Sequence, residues 1–447
     1  MPLTVLTDSD VNVLLHSLNK DDILDLQQSL ADALHFYSTS GEENSCCSTY
    51  QPMRTALKRR DGRTTLFMPA SAHTGLGIKV VTLATPKDPN STSLENLSIA
   101  PGKSGSPRAS LSSRDTSSTI TFNPPDSMSS ADTTTPRGSL TLLDEQGTPK
   151  ALINAEELTA FRTALATNAL LRKRQSVHDV TVFGAGKQAY WHVRLAMLLR
   201  GDEIHHMNII NRSFDRAREL IMRLWNPLPG NENYENPLGH KYYSKTKSSI
   251  ITPQSPEYQR LLKEQVRSAN VIFCTTPSTE PLFPASYLTN PGGRHKGRYI
   301  GLVGSYKPHM IEVHPDVLRA AVAPHNEHRH HHKHQKEGGV IVVDSVEACL
   351  QEAGEVIQAK LKPDQVVELG ELIMLRRDAE QRAKDRKDSG DDAKGVQVQE
   401  SEGLKEWLTK GNVIYKSVGL GLMDVVVGGE LVRLAREKGI GTTIENF

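Results

Sequence analysis

The sequence predicts an α/β protein with a doubly wound, Rossmann-type parallel sheet, and three observations indicate this class. A short strand runs into a glycine-rich turn at residues 180–189 (VTVFGAGKQA), and a helical pattern follows directly. Further β-branched runs occur at residues 269–276, 298–304 and 340–344. Helical or loop segments separate these runs, as a parallel sheet with helices on both faces requires.

The N-terminal elements precede this sheet. Residues 3–6 (LTVL) predict a strand, a helix opens at Asp8 or Ser9, and a second helical segment covers residues 21–36. Two paired strands, TTLFM and GIKVVTLA, follow within residues 60–85.

Three inserts interrupt the elements. Residues 90–138 are rich in Ser, Thr and Pro and cannot bury enough apolar surface to offset the entropy of ordering, which predicts a disordered insert. Residues 325–339 contain six histidines that could chelate a divalent metal, but a solvated loop also explains a histidine-rich run of this kind. We interpret that segment as a solvated loop and predict no metal site. Residues 378–402 predict a charged surface insert or a frayed helix.

Order resumes at SLTLLDEQGTPKAL, which predicts two strands around a turn. Asn154 and Glu157 then have the spacing of a capping box, and a helix with one apolar face follows. At the end of the chain, Asp424 is predicted to cap a helix that ends at Gly439.

The glycine-rich turn has the pattern of a dinucleotide site. A side chain at Gly184 or Gly186 would block the tight turn or the approach of a pyrophosphate to free N–H groups at a helix N-terminus. A purely structural turn is the alternative, because this motif alone is weak. The predicted cofactor contacts around the turn and at the ends of neighbouring strands are Gly184, Ala185, Gly186, Lys187, Gln188, Thr275, Thr276 and Gly304.

The second strand of this unit indicates NADP(H) rather than NAD(H). It ends in Asn211, where an NAD enzyme usually has an acid for the ribose 2′-hydroxyl. Arg212, Ser213 and Arg216 follow and would supply two guanidinium groups and a hydroxyl for a 2′-phosphate. The alternative is that both arginines lie on a solvated helix N-terminus, although cations there oppose the helix dipole.

Composition restricts the partners. The chain has 447 residues, a formal net charge of +1 and 37% hydrophobic residues, which fits two or three domains and gives no reason to expect nucleic acid or an acidic membrane surface. Its four cysteines form neither a metal-type pair nor a disulfide framework. We find neither a signal sequence nor an apolar stretch of membrane-spanning length, and we expect a cytoplasmic location.

Several separated blocks resemble the ornithine cyclodeaminase and mu-crystallin family. They are PMR at 52–54, FMPA at 67–70, GIKVV at 77–81, LLDEQGTPKAL, LTAFRTALATNALL, VFGAGKQA, CTTPSTEPLF, IGLVGSYKPHMIEV, VVDS and KSVGLGLMD. The resemblance implies an α+β substrate-binding and dimerisation domain at 1–175, an NADP-binding Rossmann domain at 176–418, and a C-terminal helix at 419–447 that returns to the first domain. It also implies a homodimer.

The resemblance further implies a substrate site. Arg54, Lys79 and Arg162 match family positions that hold an amino-acid carboxylate, and Lys79 could also supply a proton. Cyclodeaminases of the family have an aspartate where this chain has Tyr306, and a tyrosine with a pKa near ~10 cannot replace a carboxylate base. Glu312 matches a family acid that shapes the loop.

These residues favour an NADPH-dependent oxidoreductase that reduces cyclic ketimino acids, pyrroline- or piperideine-carboxylate, to proline- or pipecolate-like products. Lys79 and Tyr306 are the predicted catalytic residues, and a small imino or amino acid is the expected partner. An ornithine cyclodeaminase or amino-acid dehydrogenase is the first alternative. A non-catalytic NADPH-binding protein is the second.

Overall fold

The computed structural model describes residues 2–39, 51–60, 63–72, 75–84, 136–231, 234–239, 245–290, 296–323, 339–373 and 396–447. Apart from their last residues, the predicted inserts at 90–138, 325–339 and 378–402 lie outside these described residues. The described strands form two sheets, one of seven strands and one of eight. None of the described helices combines the length and the apolar character needed to cross a bilayer.

Strands β1–β6 and β15 make the seven-stranded sheet, in the order β15-β1-β6-β5-β4-β3-β2. The pair β1 and β6 is parallel and its other pairs are antiparallel. The strands are β1 (Leu3–Leu6), β2 (Thr55–Lys58), β3 (Arg63–Ala72), β4 (Gly75–Ala84), β5 (Arg137–Leu143), β6 (Pro149–Asn154) and β15 (Thr442–Ile444).

Strands β7–β14 make the eight-stranded sheet, which is parallel throughout, in the order β13-β12-β14-β11-β10-β7-β8-β9. From β7 the chain passes outward to β8 and β9 and then returns to β10 on the other side of β7, so the predicted doubly wound class is confirmed. The strands are β7 (Asp179–Phe183), β8 (His206–Ile210), β9 (Lys247–Ile251), β10 (Val271–Cys274), β11 (Tyr299–Leu302), β12 (Ile341–Val343), β13 (Val366–Glu368) and β14 (Val413–Lys416).

Helices pack against both sheets. They are α1 (Asp8–His16), α2 (Lys20–Thr39), α3 (Ala155–Leu171), α4 (Lys187–Arg200), α5 (Phe214–Trp225), α6 (Tyr258–Ser268), α7 (Ser286–Thr289), α8 (Pro315–Val322), α9 (Val346–Glu352), α10 (Gly354–Ala359), α11 (Val396–Lys410) and α12 (Gly421–Lys438), with a 3₁₀ turn at Pro363–Gln365.

Helix α12 lies on the seven-stranded sheet, although it follows the last strand of the other sheet in the chain. It packs on β3, β4 and β5 and against α2 and α3, and β15 then pairs with β1. Gly439 ends the helix with a φ of +64°, as predicted. The prediction that Asp424 caps this helix was wrong: Leu420 is the N-cap, and the Asp424 side chain is buried inside the first turn. A buried carboxylate needs charged partners, and Asp424 has them in the site described below.

Helix α3 lies between the sheets and is buried on almost every face. Asn154 is its N-cap and accepts a hydrogen bond from the Glu156 N–H. The predicted reciprocal contact from Glu157 was wrong, because Glu157 is buried and accepts a 2.6 Å hydrogen bond from the Trp191 indole instead. Glu157 therefore bonds to a residue distant in sequence, and not to the helix cap that the local spacing predicts.

Candidate active site

Gly184 makes the turn between β7 and α4. Its φ is +106°, a region that favours glycine, and a Cβ placed there would lie 2.7 Å from Thr275 Oγ1 and 3.0 Å from Thr276 Cγ2. Thr275 fixes this approach, because its N–H and hydroxyl both donate to the Phe183 carbonyl, at 3.1 and 2.7 Å. Glycine is therefore required by the backbone and by the neighbouring loop.

Gly186 is the N-cap of α4, and no side chain caps this helix. Its first turn has no acidic residue, and a Cβ on Gly186 would meet nothing within 4 Å. Helix N-termini leave N–H groups unsatisfied and carry a partial positive charge, so this open turn can accept an anion. Ala185 precedes the N-cap, and Gln188 lies in the first turn with a buried side-chain oxygen that has no hydrogen-bond partner among the described residues.

The Lys187 side chain is engaged elsewhere. Its ammonium lies 3.0 Å from Glu157 Oε1 and 3.2 Å from Glu156 Oε2. Burial disfavours the charge, but Glu157, Asp8 and Glu156 together outweigh burial and raise the pKa of Lys187. Lys187 can thus offer an anion its backbone N–H in the first turn, while its ammonium stays with the two glutamates.

Asn211, Arg212, Ser213 and Arg216 follow β8, beside the glycine turn. The amide of Asn211 donates to the Ser213 carbonyl at 2.8 Å, and the Ser213 hydroxyl accepts the Arg216 N–H as the N-cap of α5. An open cavity of about 650 Å³ lies here, and its lining includes Arg212 and Ser213 as well as Asp215. Arg212 and Arg216 are exposed, and neither pairs with an acid of the described residues.

Lys79, Arg162 and Asp424 form a buried charged cluster between β4, α3 and α12. Asp424 Oδ1 lies 2.9 Å from the Lys79 ammonium and 3.2 Å from Arg162 Nε. Burial, aided by the guanidinium of Arg162, lowers the pKa of Lys79 to about 8, although Asp424 opposes the shift. Lys79 is therefore an ammonium that can release its proton near neutral pH.

Arg54 completes the predicted set of cations. Its Nε donates to Glu352 Oε1 at 2.9 Å. Burial lowers the pKa of its guanidinium; Arg162 adds to this, whereas Asp344 opposes it. The structure thus brings Arg54, from the segment before β2, into one electrostatic neighbourhood with Lys79 of β4 and Arg162 of α3.

Tyr306 follows β11 and faces the same neighbourhood. It packs against an apolar cluster of β3 and β4 that contains Met68, Val81 and Leu83. Burial raises the pKa of its phenol, and the nearby Arg54 only partly opposes this. Tyr306 is therefore a neutral hydroxyl and not an ionised base.

Asp344 positions the loop between β14 and α12. It accepts hydrogen bonds from the Ser417 hydroxyl and the Gly419 N–H, each at 2.7 Å. Gly419 has a φ of +90°, and a Cβ there would lie 2.7 Å from the Arg162 guanidinium. The loop is thus pressed against Arg162. Sequence reasoning missed Asp344, Glu352 and Asp424 as members of this site.

Glu312 ties two loops of the eight-stranded sheet together. It accepts the Thr276 N–H at 2.7 Å and the Gly304 N–H at 2.8 Å, which fits the loop-shaping role that the resemblance implied. Burial raises the pKa of Glu312 to about 7. Glu355, which accepts the Glu312 N–H at 2.7 Å, extends this buried network.

The predicted cofactor residues and the charged cluster of Lys79, Arg162 and Asp424 meet at one edge of the parallel sheet. The glycine turn, Thr275, Gly304 and Tyr306 all follow the carboxyl ends of strands, and ligands of doubly wound folds bind at this edge. The cationic cluster approaches it from the other sheet. The arrangement can therefore place a nucleotide beside a small anion.

Comparison with known proteins agrees with this arrangement. No protein-family model matches the chain. A Delta(1)-pyrroline-2-carboxylate reductase of Bacillus cereus is 25% identical over 308 residues, which cover 67% of this chain and 71% of that protein. The ketimine reductase mu-crystallin of Mus musculus is 27% identical over 241 residues, or 53% of this chain and 59% of the relative.

Solved structures share the fold. The Delta(1)-pyrroline-2-carboxylate reductase of Thermococcus litoralis, in complex with NADH and L-proline, matches with a TM-score of 0.61 and 17% identity over 99% of this chain and all of that one. A probable ornithine cyclodeaminase of Bordetella pertussis matches with a TM-score of 0.57 and 18% identity, over 98% and 99% of the two chains. The named relatives include a pyrroline-carboxylate reductase and a ketimine reductase mu-crystallin, and a probable ornithine cyclodeaminase shares the fold, which confirms the resemblance found in the sequence.

Proposed function

We propose that the chain is an NADPH-dependent reductase of cyclic ketimino acids, which converts pyrroline- or piperideine-carboxylate to proline- or pipecolate-like products. The meeting of Arg54, Lys79 and Arg162 beside the nucleotide edge of the sheet is the observation that carries this proposal. The curated relatives support it, since they include a pyrroline-carboxylate reductase and a ketimine reductase.

The residues at the nucleotide edge fit a dinucleotide. The uncapped N-terminus of α4 would hold the pyrophosphate, and Gly184 keeps the turn close to Thr275. Arg212 and Arg216 would hold the 2′-phosphate of NADP(H), which is why we propose this cofactor in preference to NAD(H). The bound cofactor supplies the hydride.

Arg54 and Arg162 would hold the substrate carboxylate. Each guanidinium is paired with a protein carboxylate in this structure, Arg54 with Glu352 and Arg162 with Asp424. A substrate anion would share or replace these contacts, so the site can keep its cations neutralised before substrate arrives.

Lys79 would supply the proton. Reduction of the imine carbon would leave the electron pair of the C=N bond on nitrogen, and the nitrogen would take a proton from the Lys79 ammonium. Solvent then reprotonates Lys79. A donor with a pKa of about 8 suits this step near neutral pH. The neutral Tyr306 hydroxyl would orient the substrate ring.

The organisation of the whole molecule forms part of the same proposal. We take residues 1–175 with the helix at 419–447 as the substrate and dimerisation domain, and residues 176–418 as the nucleotide domain. The packing of α12 on β3, β4 and β5 supports this division. A cytoplasmic homodimer that binds neither nucleic acid nor membrane completes the proposal, and one structural neighbour is an archaeal alanine dehydrogenase dimer with bound NAD.

Cyclodeamination of ornithine is the second candidate, and one observation favours it. Asp424 Oδ2 is buried and has no hydrogen-bond partner among the described residues, so the site contains a carboxylate even though Tyr306 replaces the family aspartate. Its two ion pairs hold that carboxylate as a counterion, which is why reduction remains the first candidate.

An assay of NADPH oxidation over cyclic imines, and over 2-oxo acids with ammonia or methylamine, tests the proposal. We expect turnover with a cyclic ketimino acid and its loss in Lys79→Met. Lys150→Met is the matched control. Lys150 is a half-buried lysine of the same sheet, on β6, three residues before Ile153, which lies in line with Lys79. Ammonia release from ornithine would favour the second candidate, and tight NADPH binding without any turnover would favour a binding protein.

A further inference from the structure

Three metal-ligating side chains lie together at the amino ends of β7 and β8. Asp179 Oδ2 is 3.2 Å from His178 Nδ1, and Asp179 Oδ1 is 2.8 Å from His206 Nδ1. One ligand atom from each residue lies within 4.8 Å of the others. Two imidazole nitrogens and a carboxylate are thus close enough together to bind one ion.

Hydrogen bonds hold the backbone that carries these three side chains. Asp179 and His206 are register partners in the parallel pair of β7 and β8. The N–H groups of His205 and His206 donate to the His178 carbonyl at 3.0 and 3.1 Å, and the Asp179 N–H donates to Asn270 Oδ1 at 3.1 Å. Ligands carried on rigid strands lose little entropy when they bind an ion.

The cluster is separate from the candidate active site. Gly184 lies at the opposite end of β7, and five residues of extended chain place the two ends of the strand roughly 13 Å apart. The side chains of His178, Asp179 and His206 are 44%, 24% and 43% exposed. An ion can therefore reach the cluster from solvent without entering the nucleotide edge.

We propose that His178, Asp179 and His206 bind a divalent transition-metal ion such as Zn²⁺. Imidazole nitrogen with one carboxylate suits Zn²⁺, Cu²⁺ or Ni²⁺, whereas Mg²⁺ and Ca²⁺ prefer oxygen ligands. The ion would bind the Nδ1 atoms of the two imidazoles and the Asp179 carboxylate, in place of the hydrogen bonds between them, and water would complete the coordination. It would tie β7 to β8 and stabilise the fold, without taking part in a reaction.

Hydrogen bonding between the histidines and Asp179 alone is the competing explanation of the cluster. The histidines between residues 325 and 334 are a second complication, because they could bind the same ion. The second is removed when the full chain is prepared without a histidine tag and with those six insert histidines replaced by glutamine, and the first is tested by the titration below. This chain is the parent for every measurement below.

Titration of the parent with ZnCl₂ in a calorimeter should show one ion per chain. His178→Gln combined with His206→Gln should weaken binding by at least ~10-fold. His314→Gln is the matched control, since His314 is 45% exposed and its Nδ1 lies 3.3 Å from Asp316 Oδ2. Within the described part of the chain, no second histidine joins that pair to make a three-ligand group. The control should bind Zn²⁺ as the parent does.

Thermal unfolding supplies an independent readout. Zn²⁺ should raise the unfolding midpoint of the parent and of the His314→Gln control, but not that of the double variant. Circular dichroism without metal checks that the double variant is folded, and Asp179→Asn replaces it if it is not. Absence of Zn²⁺ binding by the parent, or equal affinity in parent and variant, would overturn the proposal.

Discussion

Asp424→Asn removes the negative charge of the buried cluster and thereby tests how that cluster sets the protonation state of Lys79. Two opposite charges 2.9 Å apart attract by about 6 kcal/mol at an effective dielectric constant of about 20, and by about 1.4 kcal/mol in water. Since one pKa unit corresponds to about 1.4 kcal/mol, loss of the carboxylate should lower the pKa of Lys79 by about 1 to 4 units. The side chains are buried, so solvent screens this interaction weakly.

The sign of the effect on activity follows from the role of Lys79. Burial and Arg162 already lower its pKa to about 8, with Asp424 opposing. If the ammonium donates the proton, activity falls as the pH rises through this pKa. In Asp424→Asn the fall should occur at least one pH unit lower, and the rate at pH ~8 should drop about 5-fold for the first pKa unit lost and about 10-fold for each further unit.

The assay is the pH dependence of kcat/KM for NADPH oxidation with a cyclic ketimino acid. Glu157→Gln is the matched control, because Glu157 is a buried acid that pairs with Lys187 and Arg223 outside the cluster. Its alkaline limb should coincide with that of the unmodified chain. An unchanged limb in a folded Asp424→Asn protein would refute the assignment of Lys79 as the proton donor whose charge Asp424 maintains.

Other predictions concern the cofactor edge and the loops. Arg212→Ala with Arg216→Ala should weaken the binding of NADPH by about 100-fold and that of NADH little, because charge-assisted hydrogen bonds contribute about 1.5–3 kcal/mol each. Arg218→Ala, an exposed control on the same helix, should change the binding of neither cofactor. Equal losses of affinity for both cofactors would exclude a 2′-phosphate site. Burial raises the pKa of Glu312 from 4.5 to about 7, so its contribution to the free energy of unfolding is present below pH ~4.5 and is lost as the pH rises through about 7. This loss amounts to about 3 kcal/mol, and Glu312→Gln should remove it. Urea unfolding at several pH values measures the difference. Gly184→Ala should destabilise the fold by about 1–3 kcal/mol, because a left-handed φ and the Thr contact both oppose a Cβ; an unchanged unfolding midpoint would contradict that reasoning.

Features set by local sequence were the most predictable. The glycine turn, the strand before it and the helix after it obey short-range rules, and the structure has all three where the sequence indicated. The edge strand β9 was missed because its exposed residues are polar. β14 was missed as well, and it lies between β11 and β12 in the sheet although it follows both in the chain.

The charges of the candidate site were less predictable, because their partners are distant in sequence. Asp424 lies 345 residues from Lys79 and 262 from Arg162, so a local reading could only treat it as a helix cap. Lys187 matched a cofactor position, yet its ammonium is held by glutamates of α3. The cations themselves were found through the family resemblance, which compares whole blocks and not isolated residues.

Formation of proline from pyrroline-2-carboxylate, with NADPH consumed in equal amount, tests the proposed reaction most directly. The unmodified chain should catalyse it, and Lys79→Met should lose at least ~100-fold in rate while it keeps its affinity for NADPH. Bound NADPH with no oxidation by pyrroline- or piperideine-carboxylate, or full activity in Lys79→Met, would contradict the proposed function.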